Sequence, residues 1–175
     1  MSKEGVDSCV RLAVAAVEAY VLNRQVISPP EDLPAAMKRR AGVFVSLKKK
    51  GELRGCIGTI SPTEENIAYE IIANAIKAAS LDPRFLPVRK DELNEITYSV
   101  DILSEPELCR EEDLDPQQYG VIVESGWQRG LLLPDLPGVE TAAEQVKIAR
   151  MKAGINRDQP VRLYRFAVER HTQDV

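Results

Sequence analysis

Aromatic residues are scarce in this chain and histidine occurs once, which removes several kinds of chemistry at the outset. Phe, Trp and Tyr together make up 5% of 175 residues. A single Trp127 beside a turn is weak ground for a partner anchor. The lone histidine, His171, reads as an exposed residue of the C-terminal tail, so a thiol–imidazole dyad is not expected. Cysteine is also sparse. Cys9, Cys56 and Cys109 are too widely spaced for a zinc or dithiol redox motif, and three do not make a disulfide framework. A reducing cytoplasm is the simplest compartment. No motif supports a zinc, heme or nucleotide site, so no metal and no cofactor is expected; Gly55-x-x-Gly58 lacks the strand–loop–helix context of a phosphate loop. Long apolar runs are missing too. Val10 to Val21 carries Arg11 and Glu18 and is too short to span a bilayer, and no signal peptide is read at the start. There is no basic excess. A net charge of -4 and a pI near 5.2 argue against a general nucleic-acid or anionic-membrane binder. Lys38-Arg39-Arg40 and Lys48-Lys49-Lys50 read as a solvated helix end and a solvated hairpin turn.

What is present suits a soluble globular protein: 44% hydrophobic and 29% charged residues, in a length that permits one large domain or two small lobes. Val10, Val14, Val17 and Val21 recur at helical spacing between Asp7 and Arg24, with Asp7 or Ser8 as cap. Ser28-Pro29-Pro30 breaks the chain, and a short helical turn follows over 35–40. Val43, Val45 and Leu47 alternate as a strand. It is expected to pair, through the Gly51 turn, with a second strand from Leu53 to Ile60. Ser61, Pro62 and Glu64 read as a capping box opening a helix that runs to Ser80. Residues 81–87 form a loop stiffened by two prolines. Ile96 to Ile102 is a third strand. Tyr119 to Glu124 and Gln128 to Leu133 form a hairpin. Thr141 and Glu144 open a helix that Gly154 ends, and Val161 to Arg170 is expected as one long strand. Hairpins and helices without βαβ alternation predict an α+β fold with mostly antiparallel strands. The proline-rich breaks at 28–34 and 134–138 are expected to separate a larger lobe from a smaller one.

The most informative stretch is Leu53-Arg54-Gly55-Cys56-Ile57-Gly58. Strands that only fill a core use Val, Ile and aromatics, whereas glycine in a strand marks close approach by a backbone or ligand. Alternation puts Arg54, Cys56 and Gly58 on one face. A guanidinium beside a thiol stabilises the thiolate, the form that reacts. Cys56 and Arg54 are therefore the catalytic candidates. Gly55 and Gly58 would admit substrate to the backbone, and Asp82 and Arg84 would hold its polar group. Each has a plainer reading: Cys56 as a buried small hydrophobe, Asp82 and Arg84 as a loop-stabilising ion pair. Asp101 faces either a cleft or water.

The hexapeptide resembles the hallmark of the AMMECR domain family, which includes protein A of the AmmeMemoRadiSam system. Asp82-Pro83-Arg84-Phe85, Gly130-Leu131-Leu132-Leu133-Pro134 and Lys152-Ala153-Gly154 are similar to later family segments in the same order, while Pro137-Gly138 departs from the pattern. The resemblance implies a single α+β domain of two unequal lobes, with a mostly antiparallel sheet flanked by helices and the hexapeptide near the cleft between the lobes. It also implies cytoplasmic action with a Memo-like protein and a radical SAM protein. It supplies no reaction. A thiol-dependent enzyme is one expectation. A non-enzymatic protein-interaction module, or a factor in transcription or translation, is the other.

Overall fold

In the computed structural model, which describes residues 7–173, Asp7 caps the first helix by accepting from the Cys9 amide at 2.8 Å. That helix, α1 (Ser8–Asn23), buries Val10, Ala13, Ala16 and Val17, and Arg24 ends it in the left-handed conformation. A 3-10 turn over Ala35–Met37 precedes β1 (Val43–Lys49) and β2 (Glu52–Gly58). Their hairpin turns at Lys50 and Gly51, both with positive φ (52° and 80°), as a primed two-residue turn requires. Next come α2 (Ile67–Ser80), a 3-10 turn over Lys90–Glu95, and β3 (Ile96–Leu103). The remaining elements are β4 (Glu107–Cys109), β5 (Gly120–Ser125), β6 (Gln128–Leu132), α3 (Ala142–Ala153), β7 (Arg162–Phe166) and β8 (Val168–Thr172).

These elements form two units. The first contains the chain through Leu103 and again from Glu169 onward. Its sheet has the order β2-β1-β3-β8, with β1 antiparallel to both β2 and β3. Val43, Val45 and Leu47 of β1 and Val100 of β3 are fully buried in one core with α1 and α2. Phe44, Ser46 and Asp101 project from the opposite face, because strand side chains alternate. The second unit is Ser104–Val168. Its sheet runs β4-β7-β5-β6, all antiparallel, and α3 packs on β5 and β6 around Val121, Val123, Leu132, Val146 and Ala149. The α+β class read from the sequence is the observed one. Among the described residues, no helix is long and apolar enough to cross a membrane.

Three expectations need correction. The division between units falls at 103/104 and 168/169, not at the proline-rich breaks. The predicted strand over 161–170 is two strands, β7 and β8, in different sheets with Ala167 between them. The second helix starts five residues later than the capping box implied: Asn66 is its cap, its side chain accepting from the Tyr69 amide at 3.0 Å. Residues 61–66 are instead clamped as a loop by Glu70, which is 1% exposed. Its carboxylate accepts from Thr59 Oγ1 (2.6 Å), Thr63 Oγ1 (2.9 Å), and the amides of Thr63 (3.0 Å) and Glu64 (2.8 Å). Four donors satisfy the buried charge and hold the loop out of helix. Replacing Asn66 by Ala is accordingly expected to cost about 1 kcal/mol. Replacing the exposed Ser61 should cost less than about 0.5 kcal/mol. Urea denaturation of the two variants tests this, and the reverse ranking would restore the earlier helix start.

Candidate functional site

The hexapeptide lies on β2, an edge strand of the first sheet. Gly55 belongs to the core face. A Cβ there would overlap the Ala78 carbonyl oxygen of α2, so the glycine lets the helix backbone rest on the strand. Gly58 projects to the other face, where a Cβ would overlap the ring of Phe44, its partner across the β1–β2 ladder. Neither glycine therefore provides space for a substrate. The chain's own backbone fills one position and its own aromatic ring fills the other.

An edge strand exposes unpaired amides and carbonyls. Here the loop after α2 takes them up. Asp82, 4% exposed, accepts from the Cys56 amide through Oδ2 at 2.9 Å. The same carboxylate receives Arg84 through its amide (3.1 Å), Nε (3.1 Å) and Nη2 (2.8 Å). Arg84 Nη2 also reaches the Cys56 carbonyl at 3.5 Å. The Arg84 guanidinium beside Asp82 is the main reason its carboxyl is held down at about 2. One residue of the strand thus has both backbone groups answered by one loop. The two sequence signatures, the hexapeptide and Asp82-Pro83-Arg84-Phe85, are halves of one bracket.

Arg54 closes the bracket further along. Its Nε and Nη2 pair with the two Glu92 oxygens, each at 3.0 Å. Its Nη1 donates to the Leu86 carbonyl at 2.9 Å and its Nη2 to the Pro87 carbonyl at 3.3 Å. Lys49 and the Arg89 amide complete the shell around Glu92. The hydrogen-bonded Arg54 holds the Glu92 carboxyl down at about 2. This guanidinium is spent on Glu92 and the loop, and it is not a charge that acts on the thiol.

Cys56 is partly buried, and Ser46, opposite it in the ladder, donates to its Sγ at 3.2 Å. Burial pushes the thiol up. The Ser46 hydroxyl and the Arg84 charge oppose that shift, while Asp101 and Asp82 add to it. Burial prevails, so the thiol keeps its proton at neutral pH. The cation that acts on it is Arg84, not the expected Arg54. Asp101 is buried at 4% and paired with Arg170 by two contacts of 2.9 and 2.8 Å. It therefore faces neither water nor an open cleft. His171 is not a free tail residue either. Its side chain is 15% exposed and its Nδ1 lies 2.8 Å from Asp7 Oδ2.

The arrangement brings Cys56, Asp82 and Arg84 together and assigns Arg54 to Glu92. Ser46, Glu92 and Arg170 were missed from sequence. None had a legible signal: regular hairpin register would set Ser46 opposite Gly55, and only the register shift between Leu47 and Lys48 brings it across from Cys56. Exposed in this region are the Arg84 side chain at 56%, Leu81 at 67% and Leu86 at 84% of the same loop, and Leu53 of β2 at 41%. Two carboxyls held below their ordinary values stabilise the fold above those values, and the contribution disappears as pH falls through the folded ones. Stability is expected to drop between about pH 4 and about pH 2. Asp82→Asn should lower stability at pH 7 and flatten that acid limb. Urea midpoints across this range test it, and parallel profiles for the two proteins would contradict the assignment.

The chain is 55% identical over 166 residues to a Thermotoga maritima protein, covering 93% of this chain and 95% of that one. It is 49% identical over 173 residues to a Clostridium acetobutylicum protein, covering 98% of this chain and 37% of that longer one. The solved structure of an uncharacterized Pyrococcus horikoshii protein matches with a TM-score of 0.87 at 32% identity, over 97% of this chain and 92% of the other. The family model described as AMMECR1 matches residues 10–171, and the chain belongs to the AMMECR1 family.

Proposed function

We propose that this chain is a non-enzymatic protein-interaction module that works in the cytoplasm with a Memo-like protein and a radical SAM protein. The observation that carries the reading is the condition of the loop–strand bracket. The groups expected to do chemistry are engaged within the chain: Arg54 by Glu92, Asp82 by the Cys56 amide and Arg84, the two glycines by Ala78 and Phe44. The groups left to solvent are those of a recognition surface. Leu81, Leu86 and the Arg84 guanidinium are exposed on one loop that two prolines and several hydrogen bonds hold in place, and Leu53 is exposed on the strand that the loop brackets. A rigid loop loses little entropy on binding, and apolar anchors near an arginine are common sources of affinity. The Clostridium acetobutylicum relative, in which the matching stretch is 37% of the chain, agrees with a unit that acts beside other domains.

A thiol-dependent enzyme is the second reading. Two observations favour it: the Ser46 hydroxyl donates to Cys56 Sγ, and the Arg84 charge favours the thiolate. Capture by the Memo-like partner separates the two. For the module, Leu81→Ala with Leu86→Ala should weaken binding about tenfold or more, and Cys56→Ala should leave both binding and biological activity intact. For the enzyme, Cys56→Ala would abolish activity, and iodoacetamide would modify native Cys56 faster than an unstructured cysteine at pH 7. That second pattern would overturn the module.

A further inference from the structure

We propose that Asp7, Cys9 and His171 bind one divalent transition-metal ion, with Zn2+ the ion that suits them best. One ligand atom from each lies within 4.8 Å of the others. Nitrogen, sulfur and carboxylate oxygen are the three donor types zinc takes from proteins, and three protein ligands leave one position for water. Sequence spacing could not show this set, because Asp7 and Cys9 start α1 while His171 lies on β8.

The surrounding contacts orient each donor. Asp7 divides its two oxygens: Oδ1 caps the Cys9 amide at 2.8 Å, and Oδ2 faces His171 Nδ1 at 2.8 Å. The first is occupied by the helix and the second is aimed at the imidazole. On the far side of the ring, Nε2 lies 3.0 Å from Glu169 Oε1, in an orientation too bent for a good hydrogen bond. The Glu169 side chain is 61% exposed and free to rotate, and Arg39 approaches it only loosely at 3.9 Å. An ion held at Nδ1 in place of the present 2.8 Å contact with Asp7 would leave the ring proton on Nε2, where Glu169, 3.0 Å away, is placed to accept it once its side chain turns. Cys9 itself is 4% exposed. Two carboxylates and a sulfur face one imidazole, so the cluster has an excess of donors over positive charge. A dication supplies that charge and displaces the thiol proton to solvent. The bound ion would also tie the start of α1 to the last strand.

The test is titration of the purified, metal-stripped chain with Co2+, which reports its ligands optically. One equivalent should produce a near-ultraviolet thiolate-to-cobalt charge-transfer band and the visible bands of a tetrahedral site, and Zn2+ should abolish both. Cys9→Ser should remove the charge-transfer band, and His171→Gln should weaken binding at least tenfold. Cys56→Ala and Cys109→Ala should leave the spectrum unchanged. Circular dichroism checks that each variant is folded. If Cys9→Ser does not fold, His171→Gln and the two control cysteines still decide the matter. A folded wild-type chain that shows no thiolate band overturns the proposal. So does a band that persists in Cys9→Ser or disappears in Cys56→Ala.

Discussion

A buried carboxylate at the edge of a sheet organises the first unit. Asp82 accepts the one outward amide of β2 that sits beside the thiol, and it holds the Arg84 side chain in the same grip. Each interaction supports the other. Arg84 supplies the charge that makes an ionised Asp82 tolerable at 4% exposure, and Asp82 fixes where the guanidinium points. Without the carboxylate, the Cys56 amide would be an unpaired donor on an exposed edge. The loop from 81 to 87 would also lose its attachment at one end. Its two exposed leucines are therefore presented in one place by a polar contact that they do not touch.

Much of the architecture was legible in the sequence, and for identifiable reasons. Local signals acted locally: Asp7 capped α1, Thr141 capped α3, Gly154 ended it, and Lys50-Gly51 turned the first hairpin. Errors arose where a distant residue overrode a local signal. Ser61-Pro62-x-Glu64 has the composition of a helix start, but Glu70 takes the Thr63 and Glu64 amides first. The run from Val161 to Arg170 has continuous strand character, and nothing in its composition marks Ala167 as the point where it changes sheets.

The site was legible in part for the same reason. Strand alternation predicted Cys56 and Arg54 on one face, but the ladder shifts register there: Leu47 lies opposite Gly55 and Lys48 opposite Leu53, leaving Arg54 as an extra, unpaired residue, and alternation also says nothing about which carboxylate a long side chain will find. Glu92 lies in a 3-10 turn thirty-eight positions downstream, and that separation is a tertiary fact. The glycines were read correctly as positions that need to be bare and incorrectly as openings. Gly55 beneath Ala78 has a counterpart in the second unit, where a Cβ at Gly130 would overlap the Ala149 carbonyl oxygen of α3. In both units a strand glycine allows a helix to sit directly on a sheet, so the two glycine-bearing signatures are marks of close packing.

Along the chain the second unit is an insertion between β3 and β8, and its ends are fastened together: the Ser104 amide donates to the Ala167 carbonyl at 2.9 Å, and the Ala167 amide to Ser104 Oγ at 2.8 Å. On a ribosome this order has a temporal meaning. The inserted segment is continuous, so it can reach its native pairing as soon as β7 emerges. The earlier-made sheet must wait with one margin unfilled until the final strand is released.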